Sequence, residues 1–319
     1  MEINNVAASV SALHVVEGDS AIAEDESTNL AITNVEAVTS YNWLDRKKPT
    51  IAVPGKLVPL LTLSRRRLTS IGMPAQWLNR VQFQPLLKPD SESRYLDQNA
   101  AKYGQSPFEP GIKAVLHQNS DYDFTTLDLI TDRYALASLL EFANGKQKAF
   151  SFGAQVIGHT IVCVRDDAEP RQDITKFRGY RVDFVTKYLE YPTAFENSLK
   201  HYRIITYQLG ELKVMLRYAA DGYLPDLAGE LPDTAYDQGD VVEGDGSLAI
   251  VSTGVLVPHD TIIELNTCRK RSEEEGPDDH ITAKFREAWL SQAHHFVHAE
   301  STMGKRYRKM KDFRQRFGE

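Results

Sequence analysis

Apolar positions along this chain recur with two different periods. Leu127, Ile130, Tyr134, Leu136, Leu139, Leu140 and Phe142 fall on one face at helical spacing, so Asp123 to Ala143 is predicted as an amphipathic helix. Phe150 to Arg165 predicts two strands about Gly158. Tyr202–Tyr207 and Leu212–Tyr218 predict a strand pair turning at Leu209-Gly210-Glu211. Phe184 to Phe195 reads as helical, and Leu248–Leu256 and Thr261–Asn266 as strands. Ile281 to Val297 reads as a helix leading into a strand. Nearer the start, Pro49 to Gly55 reads as a short extended stretch held by Pro49 and Pro54, and residues 57–110 as irregular and proline-punctuated. This order predicts an α+β single domain with a central mixed β-sheet.

The pattern also marks what lies outside the sheet. Residues 1–38 hold no aromatic side chain and are predicted as a disordered acidic tail, with the folded domain spanning 39–304 and starting near Ser40. Residues 225–247 carry Asp226, Glu230, Asp233, Asp237, Asp240, Glu243 and Asp245 with no Lys or Arg, and are predicted as an inserted acidic loop. Arg271 to His280 reads as a second such loop. Residues 305–319 read as a basic tail, its charges interleaved with Tyr307, Phe313 and Phe317.

Charge narrows the function classes. The formal net charge is -7, so any nucleic-acid contact rests on local basic patches rather than on the whole molecule. Arg65-Arg66-Arg67 is one such patch, read first as a solvated cluster and second as a phosphate contact. Cys163 and Cys268 form neither a metal-ligand spacing nor a disulfide framework, which predicts a reducing, nuclear or cytoplasmic setting. No apolar run reaches the roughly 18 residues of a membrane span, and no signal-peptide pattern opens the chain.

The chemistry concentrates on two predicted strands. Ala219 and Asp221 share one strand face, as do Glu264 and Asn266, because side chains two apart point the same way. Asp221 and Glu264 can therefore converge. Glu264 is flanked by Ile263 and Leu265, and a carboxylate in such a run needs a partner. Asp183, at the start of a predicted helix, offers a third carboxylate. Hard divalent cations want such oxygen ligands. Gln292 offers a hydrogen bond to water or phosphate. His294, His295 and His298 read as structural.

Five ordered segments carry a further signal: Asp128 to Arg133, Gly179-Tyr180-Arg181-Val182-Asp183, Ala219-Ala220-Asp221, Glu264-Leu265-Asn266 and Trp289 to Gln292. Together they resemble the motifs of the DXO family of RNA-decapping and 5′-end exonuclease enzymes, in a divergent fungal branch, over about residues 120–304. The resemblance implies a PD-(D/E)XK nuclease-like fold, Mg²⁺ or Mn²⁺ as cofactor, and RNA 5′ ends as partner. It also implies a 5′–3′ exoribonuclease or other protein partner. It implies Arg133 and Gln292 as substrate-binding, Asp183, Asp221 and Glu264 as metal ligands, and these three with Asn266 and Gln292 as the catalytic positions. The sequence departs from the family at three of them. Asp183 stands for Glu, Ala219 for the Glu of Glu-x-Asp, and Asn266 for the Lys of Glu-x-Lys. The reading that follows is a catalytically impaired homologue that binds RNA ends or a protein partner. A working metal-dependent hydrolase and a protein-interaction scaffold without nucleic-acid binding are the two other readings.

Overall fold

The spine of the molecule is a long antiparallel hairpin, Ser198–Leu209 with Leu212–Ala220. It turns at Gly210, whose φ of 60° is open to glycine at no steric cost. From His201 to Tyr207 every residue is buried, the polar His201, Arg203 and Thr206 with the rest, so both faces of the strand are covered. The computed structural model describes residues 31–54, 73–78, 85–90, 94–145, 149–166, 169–173, 179–191, 197–229, 242–243, 248–269, 279–301 and 307–312.

Two sheets are built around this hairpin. The first has nine strands and is mixed. Ile32–Leu44 runs antiparallel along Ser198–Leu209, from Ile32 opposite Leu209 to Leu44 opposite Ser198. Leu129–Asp132 runs parallel to Leu212–Ala220, with Thr160–Arg165 and Phe152–Ile157 beyond it. The second has six strands and includes Ile262–Arg269, His295–Ser301, Gly222–Tyr223 and Ala75–Trp77. The chain steps from the first sheet to the second across a single residue, Asp221. Gly222 makes the step possible: a Cβ there would lie 2.7 Å from the Ala75 carbonyl oxygen and 2.7 Å from the Leu189 side chain.

Three apolar clusters hold the layers. Tyr41, Trp43, Leu127 and Ile204 pack with Val115 of the helix Glu109–Gln118. Ile205, Tyr207, Leu216, Ile262 and Leu290 fill the space between the sheets, and Trp77, Ile263 and Leu265 pack with Phe184 and Tyr188 of the helix Arg181–Tyr188. Fully burying one such side chain contributes about 1.5–3 kcal/mol.

Several boundaries differ from the sequence expectation, each for a physical reason. Asp123–Ala143 is not one helix: Leu129–Asp132 is a strand, and the helix is Arg133–Ala143. Leu129, Ile130 and Thr131 lie between parallel strands on either side, so their apolar run serves a buried strand. Asp132 then caps the helix, its Oδ1 accepting the Ala135 N–H at 2.9 Å. The sheet takes in residues 32–38, because Ile32–Leu44 finds a full-length partner; residues 1–30 of the expected tail lie outside the described residues. The helix predicted over Phe184–Phe195 is Arg181–Tyr188. Stretch 57–110 contains the helix Gln98–Lys102 and the start of Glu109–Gln118, while Arg65 to Arg67 lie outside the described residues. The acidic insertion holds a short helix, Pro225–Ala228, and the strand Val242–Glu243; residues 230–241 and 244–247 lie outside the description. Residues 271–278 of the second acidic loop do too, while Asp279 and His280, read as its end, open the helix Asp279–Leu290. Within the basic tail, Tyr307–Asp312 is an edge strand against His295–Ser301.

Candidate functional site

Asp221 and Glu264 meet where the two sheets adjoin. Gly222 lies opposite Ile263 in the second sheet, which brings the residue before it level with Glu264 on the neighbouring strand. Both carboxylates are engaged by guanidinium groups.

Asp221 accepts Arg181 Nη2 on both oxygens, at 2.6 and 2.8 Å, and its Oδ2 also accepts the Leu265 N–H at 2.8 Å. Arg181 Nη1 donates to the Leu265 carbonyl at 2.5 Å, so one guanidinium clasps the sheet-to-sheet step and the neighbouring strand together. Asp90 fixes the helix that carries Arg181: its carboxylate accepts the Arg181 and Val182 N–H groups at 3.1 and 2.9 Å. Burial works to raise the Asp221 carboxyl, but the Arg181 charge and the Leu265 N–H outweigh it and hold it below the usual carboxylate value.

Glu264 is 6% exposed and accepts Arg133 Nη1 at 2.5 Å. Arg133 Nη1 also reaches Ser291 Oγ at 3.2 Å, and its Nη2 donates to the Ala219 carbonyl at 3.2 Å. Its guanidinium lies 5.3 Å from the centre of the Tyr218 ring, and Glu287 is 3.9 Å away. Desolvation pushes the Glu264 carboxyl above its ordinary value even with Arg133 beside it, and the Asp221 charge pushes in the same direction.

Other expected residues are placed differently. Asp183 accepts the Lys88 N–H at 2.7 Å and the Lys187 ammonium at 2.8 Å. It shares a helix with Arg181 two positions away, and helical residues two apart lie on nearly opposite faces. Arg181 faces the carboxylate pair; the structure does not bring Asp183 to it. Gln292 turns back on its own helix, with φ 50° and its Nε2 donating to the Trp289 carbonyl at 2.6 Å. Asn266 is buried, its Nδ2 3.1 Å from His298 Nδ1. Among the described residues, no three His, Cys, Asp or Glu side chains form a group able to hold a metal ion. Two carboxylates each paired with an arginine do not fit the several free oxygen ligands that Mg²⁺ or Mn²⁺ takes.

A cavity of about 420 Å³ opens next to Arg133 and Ala219. Arg165, Lys200, Arg217, Lys284 and Arg286 line it, with Tyr134 carrying the Arg165 guanidinium 3.7 Å above its ring centre. Most of these cations are committed. Arg286 pairs with Glu141 at 2.7 Å and Lys284 with Glu287 at 2.6 Å, while Arg165 and Arg217 donate to the carbonyls of Leu96 and Pro107. The Lys200 side chain forms no hydrogen bond or ion pair with a described residue. Burial lowers its ammonium below the usual lysine value, as do Arg181 and Arg133, against the pull of Asp221.

Sequence reasoning thus missed Arg181, Ser291, Glu287 and Lys200. The first two lie inside the very motifs that were read, as neighbours of the residues chosen.

The architecture is similar to that of solved Rai1 and Dxo1 structures. The crystal structure of Candida albicans Rai1 in complex with pU5 and Mn²⁺ aligns with a TM-score of 0.51 at 10% identity, over 90% of this chain and 73% of that one. S. pombe Rai1 gives 0.48 at 11% identity over 89% and 75%, and K. lactis Dxo1 in complex with manganese 0.48 at 9% over 89% and 69%. The chain has the DXO/Rai1 nuclease fold. It belongs to the family described as Domain of unknown function (DUF8563), whose model matches residues 10–277. No curated protein matches the sequence.

Proposed function

We propose that this chain is a non-hydrolytic DXO-like protein that binds RNA 5′ ends in the cavity beside Arg133, without a catalytic metal. The observation that carries this reading is the pairing of both candidate ligands with guanidinium groups, Asp221 with Arg181 and Glu264 with Arg133. A metal would have to displace both arginines. At Glu264 the side chains are 8% and 14% exposed, and breaking so buried a pair costs about 3–5 kcal/mol. The third carboxylate nearby, Glu287, is held by Lys284 at 2.6 Å and lies 3.9 Å from Arg133, and position 219 offers only an alanine.

RNA binding is supported by the fold, by the RNA ligand of the Candida albicans Rai1 structure, and by a cavity of small-ligand size. Lys200 is the lining cation whose ammonium no described residue engages, and it can offer it to a phosphate. The test is binding of a 5′-monophosphorylated oligoribonucleotide by fluorescence anisotropy, with and without Mn²⁺, across a salt series. The expected result is binding that needs no metal and weakens steeply with salt, with the RNA recovered intact. Mn²⁺-dependent product release that disappears in Glu264→Ala would overturn the non-hydrolytic half. A folded protein that binds no RNA at low salt would overturn the RNA half and favour a protein-interaction scaffold.

A further inference from the structure

Asn266, the residue that stands where the family motif has lysine, belongs to a second constellation. Asn266 and Cys268 lie two apart on one strand, so they share a face; His298 and Glu300 do the same on the parallel neighbour. The register sets Asn266 beside His298 and Cys268 beside Glu300. His298 spans the pair diagonally. Its Nδ1 is 3.1 Å from the Asn266 amide nitrogen and its Nε2 is 3.4 Å from Cys268 Sγ. Glu300 Oε1 lies 3.6 Å from the same Nε2. The imidazole is 5% exposed and the asparagine 1%, while Cys268 is partly open.

This arrangement has a chemical direction. The amide N–H of Asn266 at Nδ1 sets the tautomer that carries its hydrogen on Nε2, facing sulfur. A hydrogen bond donated to sulfur favours thiolate over thiol, and the thiolate is the nucleophile. Burial holds the ring in place, and the open side of Cys268 leaves an approach. Both cysteines have a carboxylate nearby, Glu300 and Asp132; they differ in that Cys163 is buried, where desolvation first and Asp132 second push its thiol up, while Cys268 is partly open and faces His298 Nε2.

We infer that Cys268 is a reactive thiol, positioned by His298 and Asn266, that undergoes exchange with low-molecular-weight disulfides. Cys268 releases its proton to solvent, and the thiolate attacks one sulfur of the disulfide. The disulfide bond breaks as the new S–S bond forms, and the second half departs as a thiolate that takes up a proton. Cys268 is oxidised to a mixed disulfide and the departing sulfur is reduced, with no further oxidant needed. This site is independent of the RNA reading, since it uses neither the cavity nor the two arginines.

The test uses the full chain and oxidised glutathione, with intact mass to count adducts and peptide mapping to place them. The expected product is one glutathione per chain, on Cys268, absent from Cys268→Ser. Unfolding supplies a comparison that needs no variant, because both cysteines then lose their surroundings. The Cys268 rate should be about tenfold higher in the folded chain than in urea at the same pH, and the Cys163 rate lower. His298→Gln and Asn266→Ala should each bring the folded-state rate towards the unfolded one. A Cys268 that reacts no faster folded than unfolded, or adducts that form first on Cys163, would overturn the inference.

Discussion

The two ends of the carboxylate pair use the same chemistry in different surroundings. At Glu264 and Arg133 both side chains are nearly sealed, 8% and 14% exposed, whereas at Asp221 and Arg181 they are 17% and 42% exposed. Burial decides what such a pair does. In the sealed pair each charge has given up water and depends on the other; in the open pair solvent remains as a substitute partner. The carboxyl groups register this difference: burial carries Glu264 above its usual value, while Arg181 and the Leu265 N–H hold Asp221 below its own. One end therefore behaves as part of the core and the other as a clasp over the step between sheets.

The largest expected effect is at the sealed end. Glu264→Ala strands Arg133 among Ala219, Ser291 and Tyr218, and should cost about 3–5 kcal/mol in denaturant unfolding. Arg133→Met combined with Glu264→Leu removes both charges and should cost well under the sum of the single losses. Additive losses would mean that the two residues are not a coupled pair, and the contrast between the ends would collapse.

The sequence revealed more of the frame than of the contacts. The hairpin over Tyr202–Tyr207 and Leu212–Tyr218, the strand pair about Gly158 and the helix-to-strand run over Ile281–Val297 follow from apolar pattern and turn residues alone, short of the full strands at their ends. The strand Leu129–Asp132 did not, because a short apolar run beside a helix continues the helical period, and only the parallel neighbours decide it. At the site, Asp221 and Glu264 were legible from strand spacing. Arg181 was not, since choosing between it and Asp183 requires the rotational phase of the helix. Likewise, Ser291 rather than Gln292 meets Arg133, because the chain leaves helical geometry at Gln292 with φ 50°. Lys200 carries no motif; it is placed by register, one residue before His201, which lies opposite Ala220.

That register makes Lys200 the third cation of the site and the one through which the comparison extends to a ligand. If it receives a phosphate in the cavity, Lys200→Gln should weaken binding of the 5′-monophosphorylated oligoribonucleotide by about ten- to a hundredfold, the loss expected from the roughly 1.5–3 kcal/mol of a charge-assisted hydrogen bond. The salt slope should fall by about one. Anisotropy titrations at several salt concentrations measure both. Equal affinity and slope in the variant would leave Lys200 outside the ligand site.

The smallest effect belongs to the open clasp. Arg181→Ala should cost about 1 kcal/mol or less at neutral pH, because the Arg181 side chain is 42% exposed and solvent can replace part of what it gives Asp221. The acid limb is where the clasp becomes visible. Asp221 has its carboxyl lowered in the fold, so it binds its proton less readily folded than unfolded. Its stabilising contribution is therefore complete above the unfolded value, near pH 4, and is lost as pH falls below it through the folded value. Arg181→Ala removes the charge that lowers Asp221 and leaves burial to push the other way. Unfolding measured from pH 5 down to pH 2 should then show a shallower loss of stability in Asp221→Asn than in the wild-type chain, with Arg181→Ala shallower still. Parallel acid limbs in all three proteins would mean that the pairing does not couple Asp221 to folding, and that the open end is a surface contact of no consequence to the site.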